Sequence, residues 1–461
     1  MKGNKPGRLH YDIIDQMSRV VVTGMGAVSP VGNSLGESWA SVKAGKSGIM
    51  PITRFDASRS RWKFAGELKG FDPGKYLARK EILRLDPFVL YAVAAAMAAA
   101  QDAGLTKNCV GCGVLDTIPP RFPSAGGESR DSLPHTCDAV LEGGGVIIGS
   151  SRGGISTLEK SLAGGHRPRI KRDNGTSRVD LGVSPYLMPS TTISMASSYV
   201  AQKLGMKGYC LGISNACASG ASAIGEAYRL IKSGYDRPVF CGGAEAPVCK
   251  ICFEGYGASG AISRINDSSA SRPFDRTRDG FVLSEGACIV VLEDYWSALK
   301  RGAVIYGEIV GYGNTTDGFH QTAPSPEGEA RAIRMAVDEA GLRPEEIHFI
   351  SAHGTSTPLG DKAETDAIKL VLGRHAYHIP VTSLKSSTGH MLAASGALEA
   401  ALLLLSMKEG VIPPTINLKE RDPGCDLDYV TGLRKSDIEY GLTQSFGFGG
   451  LNAVLVFKRI A

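Results

Sequence analysis

The chain has no long uninterrupted apolar run, few aromatic residues and little net charge of either sign. Its nearest approach to a membrane span, ALEAALLLLSM, is short and carries Glu399. Crossing a bilayer takes about 20 consecutive apolar residues, so no membrane insertion is expected. A formal net charge of +5 over 461 residues is too small to mark a nucleic-acid binder. Ten cysteines scattered through this length do not describe a secreted disulfide scaffold. Residues 1–16, MKGNKPGRLHYDIIDQ, lack the apolar centre of a signal peptide and include Asp12 and Asp15. They read as a flexible extension ahead of Met17, which reads as a natural start. A cytoplasmic enzyme is the expectation these absences leave.

Glycine, by contrast, is abundant, with 58 residues, which points to tight turns and close backbone approaches. Apolar strand-like runs alternate with helix-like segments. SRVVVTGMGAV, GVIIGSS, GYCLGISNA and PVFCGGAEA read as strands, and DPFVLYAVAAAMAAAQDAG as a buried helix with a glycine stop. A second series runs from AVIYGEIVGYG through GEARAIRMAVDEAG, IHFISAHG, DKAETDAIKLVLG and PVTSLKSSTGH to a helix from about Leu392, and closes on TQSFGFGGLNAVLVF. Alternation of this kind predicts α/β layers. No fixed short period is present, which argues against a solenoid. Two stretches read as loop insertions: 107–142, rich in Pro, Gly and Ser, and the basic segment 164–182.

The chemistry concentrates in three places. SNACASG puts Cys217 after a strand and at the mouth of a helix, where unpaired N–H groups favour a thiolate. The small neighbours Ala216, Ala218, Ser219 and Gly220 leave room for a substrate. A buried structural thiol is the alternative, and spacing alone does not choose between them. His353 in SAHGTSTPLGD and His390 in LKSSTGHMLAASGALEAA both sit between a strand and a helix, where open α/β sheets place their sites. Lys385 precedes the second histidine by five residues.

Taken together, SNACASG, AHGTSTPLGDKAET, KSSTGHMLAASGALE and SFGFGG resemble the motifs of the β-ketoacyl-acyl-carrier-protein synthases, closest to type II. SRPFDRTRDGFVLSEGA, DGFHQTAPSPEG and VIPPTINL resemble connecting segments of that family, and the likeness runs from about Met17 to Ile460. The resemblance implies a thiolase-like α/β fold, two similar halves in a five-layered αβαβα arrangement, here 17–302 and 303–461, normally as a homodimer. It implies that Cys217 carries an acyl group as a thioester and that malonyl-carrier then loses carbon dioxide and attacks it. His353 and His390 would stabilise the enolate, with Lys385 and Glu399 setting the electrostatics. Backbone N–H groups of Cys217 and Phe448 would form the oxyanion hole, and the Phe448 ring would gate the site. Thr355 and Thr357 would hold the pantetheine arm, or, on a purely local reading, cap the following helix. No cofactor is implied beyond the phosphopantetheine of acyl carrier protein, the expected partner. Lys80 and Arg84 match the carrier-contact region, and the Arg167–Arg172 segment is a second basic candidate.

Other readings fit less well. A thiolase would place a second cysteine in the closing motif, where SFGFGGLN has none. A Cys–His hydrolase signature is absent. A chain-length-factor-like partner subunit, the non-catalytic alternative, would lack the nucleophile. A ketosynthase of a polyketide or specialised lipid pathway would use the same machinery. Several positions depart from the family pattern. Arg152 stands where the acyl pocket usually ends in a small or aliphatic residue, so it either pairs locally or makes the pocket short or polar. Tyr256 occupies an aromatic pocket position, with a wall aromatic as the favoured reading and an acceptor for Arg152 as the other. Leu451 and Gln444 replace the usual Thr and Asn. The first insertion also carries Cys109, Cys112, His135 and Cys137, a weak zinc-type spacing with no metal expected.

Overall fold

The computed structural model describes residues 18–106, 141–164, 169–173, 176–180 and 183–460. The 1–16 extension and the weak zinc candidates Cys109, Cys112, His135 and Cys137 lie outside the described residues, as does Arg167.

The first strand, β1 (Val20–Val28), is buried along its whole length, as a near-continuous apolar run predicts for a strand covered on both faces. Helix α1 (Pro87–Asp102) starts where Asp86 caps it, its side chain accepting from the Phe88 N–H at 3.1 Å. Pro87 at the first helical position already has the backbone angle the helix needs. The N-terminal half also includes β2 (Gly145–Gly149), α2 (Met195–Leu204), β3 (Cys210–Ile213), α3 (Ser219–Lys232), β4 (Val239–Glu245), α4 (Lys250–Ala258) and β5 (Gly286–Asp294). The C-terminal half runs β6 (Gly307–Thr316), α5 (Pro326–Glu339), β7 (Phe349–Ser351), α6 (Pro358–Leu372), β8 (Pro380–Thr382), α7 (Ala393–Glu409), β9 (Asp428–Tyr429), β10 (Tyr440–Gly447) and β11 (Leu451–Lys458).

Eleven of the described strands form one sheet in the order β9-β8-β7-β10-β11-β6-β1-β5-β4-β2-β3. An internal repeat is visible in its hydrogen bonding. Outward from the centre, β1 pairs antiparallel with β5 and β5 with β4, and then β4-β2 and β2-β3 are parallel. In the other half β6 pairs antiparallel with β11 and β11 with β10, followed by parallel β10-β7 and β7-β8. The antiparallel pair β1-β6 joins the halves.

Helices α3 and α7 pack on each other and on strands of both halves, so the sheet bends around them. Helix α1 covers β1 and β5 on one outer face, while α5 covers β6 and β11 on the other. This is the thiolase-like, five-layered αβαβα arrangement of two similar halves. It also explains ALEAALLLLSM: the run lies in α7, which is buried all round because it is the central layer. Among the described residues no helix is long and apolar enough to cross a membrane.

The basic segment 164–182 corrects an expectation. It contains an antiparallel ribbon pairing Arg169–Asp173 with Thr176–Asp180, where composition alone read as loop. The intervening Asn-Gly dipeptide is a strong hairpin signal, and the abundance of charge obscured it.

Two glycines set the closeness of the central layer. A Cβ at Gly220 of α3 would come within 2.1 Å of the Ala393 carbonyl oxygen, and one at Gly243 of β4 within 2.3 Å of the same atom. Backbone cannot yield as a side chain does. Gly220→Ala should therefore lower stability by about 1–3 kcal/mol, the usual cost of overpacking, read as a reduced urea midpoint.

Candidate active site

The two halves deliver their functional groups from equivalent places. Cys217 follows β3, the third strand of its half, and His390 follows β8, the third strand of the other. His353 follows β7, matching the Ser150–Gly154 loop that follows β2. Phe448 occupies the turn between β10 and β11. All of these ends converge on one cavity of about 350 Å³, lined by Cys217, His353, His390, Thr355, Thr357 and Phe448 among others.

Cys217 is presented by a tight turn. Ala216 has a left-handed backbone (φ +47°), unusual for a residue with a Cβ and costly by about 1–2 kcal/mol. Side-chain bonds hold it there. The Ser219 and Ser151 hydroxyls both donate to the Ala216 carbonyl at 2.6 Å, and the Asn215 N–H donates to Ser219 Oγ at 2.8 Å. Ser151 belongs to the loop after β2, whose own anchor is the buried carboxylate of Glu245. That carboxylate accepts from the Ser151 N–H at 2.7 Å, the Arg152 N–H at 3.0 Å and the Ser150 hydroxyl at 3.0 Å.

The expected lowering of the thiol is not what its surroundings produce. Burial pushes Cys217 up to about 11, against the opposing pull of Lys385. Cys217 precedes α3 by two residues, and its desolvation outweighs the helix end. The Phe448 backbone N–H is directed at the sulfur. Added carbon at Gly447 would press on the Cys217 backbone N at 3.1 Å, so the Phe448 turn and the Cys217 turn lie against each other.

The two imidazoles meet edge to face, with ring centroids 5.3 Å apart at 85°. His353 is fixed through its backbone: Glu364, on α6, accepts from the His353 N–H at 2.6 Å and the Gly354 N–H at 2.7 Å. Burial raises the Glu364 carboxyl to about 8 although both amides favour its charged form. His390 Nδ1 lies 3.3 Å from Ser395 Oγ, which also accepts the Met391 N–H at 2.9 Å. Burial first, then the charge of Lys385, pushes both imidazoles well below their usual range, so both are neutral. Lys385 Nζ pairs with Glu399 Oε1 at 2.6 Å, and both side chains are buried.

Thr355 and Thr357 line the cavity with their hydroxyls 3.1 Å apart. Thr357 also caps α6, accepting from the Gly360 N–H at 3.2 Å, so the local and the functional readings coexist. Arg152 resolves by pairing locally: its Nε donates to the Tyr256 hydroxyl at 2.8 Å, and its guanidinium is exposed. Tyr256 lines the cavity, its ring centroid 6.3 Å from that of Phe448. Gln444 is fully buried with neither amide atom bonded among the described residues. The glycine turn holds without the usual Thr at Leu451, because Gly449 N–H donates to the Gln321 carbonyl at 2.8 Å and Asn452 Nδ2 to Asp317 Oδ1 at 2.7 Å. Lys80 and Arg84 are exposed and do not line the cavity; the Arg84 guanidinium lies 4.4 Å from the Tyr186 ring centroid. Glu364, Ser395, Glu245 and Ser151 were not singled out from sequence. Glu364 and Ser395 lie inside the quoted motifs, and an acidic residue in the helix after a catalytic loop was the available signal.

This geometry is that of a condensing enzyme of the thiolase-like class, and the chain belongs to the beta-ketoacyl synthase family. The model of that family's N-terminal domain matches residues 17–115 and 130–298, and that of its C-terminal domain matches 306–419. Among similar proteins, the 3-oxoacyl-[acyl-carrier-protein] synthase 2 of Synechocystis sp. is 44% identical over 449 residues, covering 96% of this chain and 99% of the relative. The protein of the same name from Staphylococcus aureus is 42% identical over 450 residues, covering 97% and 99%. Among solved structures, a beta-ketoacyl synthase from Burkholderia phymatum superposes with a TM-score of 0.81 at 34% identity, covering 96% of this chain and all of that one. A type II polyketide acyl-carrier protein in complex with its ketosynthase gives 0.79 at 32% identity, covering 97% and 100%.

Lys385 acts on both imidazoles in the same direction, so removing its charge should raise them. In a Lys385→Met/Glu399→Gln protein, which leaves no orphaned carboxylate, the imidazole NMR titrations of His353 and His390 should move to higher pH. Unmoved titrations would show that burial alone keeps these rings neutral.

Proposed function

We propose that this protein is a 3-oxoacyl-[acyl-carrier-protein] synthase of fatty acid biosynthesis. The observation that carries the reading is the convergence of one thiol, two neutral imidazoles and a backbone N–H aimed at the thiol sulfur. Cys217 attacks an acyl thioester and takes the acyl group, releasing the carrier thiol. Malonyl-carrier then loses carbon dioxide, and the negative charge passes to its thioester oxygen. A neutral imidazole is an N–H donor, and His353 and His390 stabilise that enolate in a cavity where the bond is little screened by water. The enolate carbon attacks the acyl carbonyl, the oxyanion rests on the Cys217 and Phe448 N–H groups, and its collapse returns the Cys217 thiolate. The product is a 3-oxoacyl-carrier two carbons longer.

In this reading Lys385 is a positioning residue, Glu399 balances it, and Phe448 shields the acyl-cysteine between the half-reactions. Thr355 and Thr357 hold the pantetheine arm, and no cofactor takes part beyond the phosphopantetheine of the carrier. Higher identity to fatty-acid-type synthases than to polyketide ketosynthases favours the first pathway. The presence of Cys217 argues against a non-catalytic subunit. The protein works in the cytoplasm as a homodimer, and its basic docking surface for an acidic acyl carrier protein includes Lys80 and Arg84.

Cys217→Ala should lose the acyl-enzyme mass adduct yet still decarboxylate malonyl-carrier, because the enolate donors remain. His353→Ala or His390→Ala should slow decarboxylation by roughly 10²–10³-fold, the usual effect of removing one such donor. Acyl adduct formation on the Cys217→Ala protein would sink the assignment. Reversing Lys80 and Arg84 to Glu should raise KM for acyl-carrier substrates and flatten its salt dependence, while leaving kcat/KM for acyl-pantetheine unchanged. Equal losses on both substrates would remove these residues from docking.

A further inference from the structure

One pair of side chains near the site has no part in this chemistry. Cys249 and Cys252 stand as C-x-x-C in PVCKIC, at the start of α4. Cys249 is the N-cap, with extended backbone at φ −143° and ψ 159°, and Cys252 lies in the first turn. Both are free thiols and buried, 5% and 7% exposed. The two thiols lie close enough to act on each other's ionisation. Their interaction lowers the Cys249 thiol and raises that of Cys252, so Cys249 is the readier of the two to ionise. Glu159 lies against the same helix end, accepting from the Lys250 N–H at 3.2 Å, and its charge opposes the lowering of Cys249. Dithiols in this spacing at a helix start are the form in which paired cysteines undergo disulfide exchange.

The position of the pair couples it to the cavity. Tyr256 lies one helical turn beyond Cys252, on the same face of α4. Its hydroxyl accepts from Arg152, its ring packs against Phe281 at 5.5 Å and faces Phe448, and it lines the cavity beside Cys217. Cys249, Cys252, Phe253 and Tyr256 belong to one apolar cluster with Cys217. Joining the N-cap sulfur to one in the first turn draws that turn inward and moves the tyrosine.

We propose that Cys249 and Cys252 form a redox-active dithiol that exchanges with low-molecular-weight disulfides and, when oxidised, shifts Tyr256 against the acyl-accepting Cys217. The coupling to Cys217 rests on the proposed condensing activity; the dithiol chemistry does not. Cys249 loses its proton and attacks one sulfur of a disulfide RSSR, forming Cys249–S–SR and releasing RS⁻. Cys252 loses its proton and attacks the Cys249 sulfur, forming the internal disulfide and releasing the second RS⁻. The dithiol is oxidised by two electrons, RSSR is reduced by two, and the thiol protons finish on the two released thiolates.

The test incubates the full-length protein in glutathione buffers of graded oxidised-to-reduced ratio, quenches in acid, alkylates and maps peptides by mass spectrometry. The expected result is a Cys249–Cys252 disulfide at oxidising ratios. Cys252→Ser should trap glutathione on Cys249, whereas Cys249→Ser should trap none on Cys252. Two alkylatable thiols across the whole series would overturn the proposal, and the wild-type mapping needs no variant to fold. Oxidation should slow acyl transfer to Cys217 by roughly tenfold, reversibly with dithiothreitol, as expected for small misplacements at a reacting centre. A Cys249→Ser/Cys252→Ser protein reports any loss due to Cys217 oxidation alone. A disulfide that leaves the rate equal to that double variant's would overturn the coupling to Tyr256. A disulfide in a protein that takes no acyl group even when reduced would instead refute the reading of Cys217 and leave the dithiol standing.

Discussion

The site is organised by one buried charge. Lys385 is 1% exposed and has a single carboxylate, Glu399, to balance it. Such a pair gains little net stability over apolar residues of equal size, because desolvating both ions consumes most of their attraction. Its value here lies in its field. The ammonium opposes protonation of both imidazoles and favours the Cys217 thiolate against burial. One cation thus adds to burial in keeping two bases neutral and opposes burial at one acid. The packing of α7 between the half-sheets makes this work, since only a water-free layer leaves a single charge so weakly screened.

Much of the fold was legible because periodicity and punctuation agreed. The strand preceding Cys217, the Ala-rich helix after Asp86 and the histidines after β7 and β8 all carried matching local signals. The residues that line the candidate site were legible for a different reason: several family motifs occurred in order. What escaped was whatever depends on contacts distant in sequence. Glu245 and Ser151 lie far from Cys217 along the chain, yet they brace its turn. The thiol's upward shift came from burial, which a linear reading of a helix start does not register. Arg152 was posed as a choice between pairing and blocking, and a tyrosine one hundred and four residues away decided it.

Strain and support are also distributed in a consistent way. Ala216 and Leu392 both have φ of +47°, and each precedes the helix that follows the third strand of its half. The first of these positions projects the thiol between β3 and α3, and the second follows His390 just ahead of α7. Serine hydroxyls satisfy the turns on both sides: Ser219 and Ser151 for Cys217, Ser395 for His390.

The antiparallel join between β1 and β6 has a consequence for how the molecule is made. A nascent chain that has emerged only through β5 possesses its cysteine turn and its first half-sheet, but none of the histidines, the lysine or the Phe448 amide. The groups that line the site come together only when β11 pairs with β6 and β10 with β11, a long-range closure that is slow by nature because distant segments must meet. The site is complete only when the sheet is.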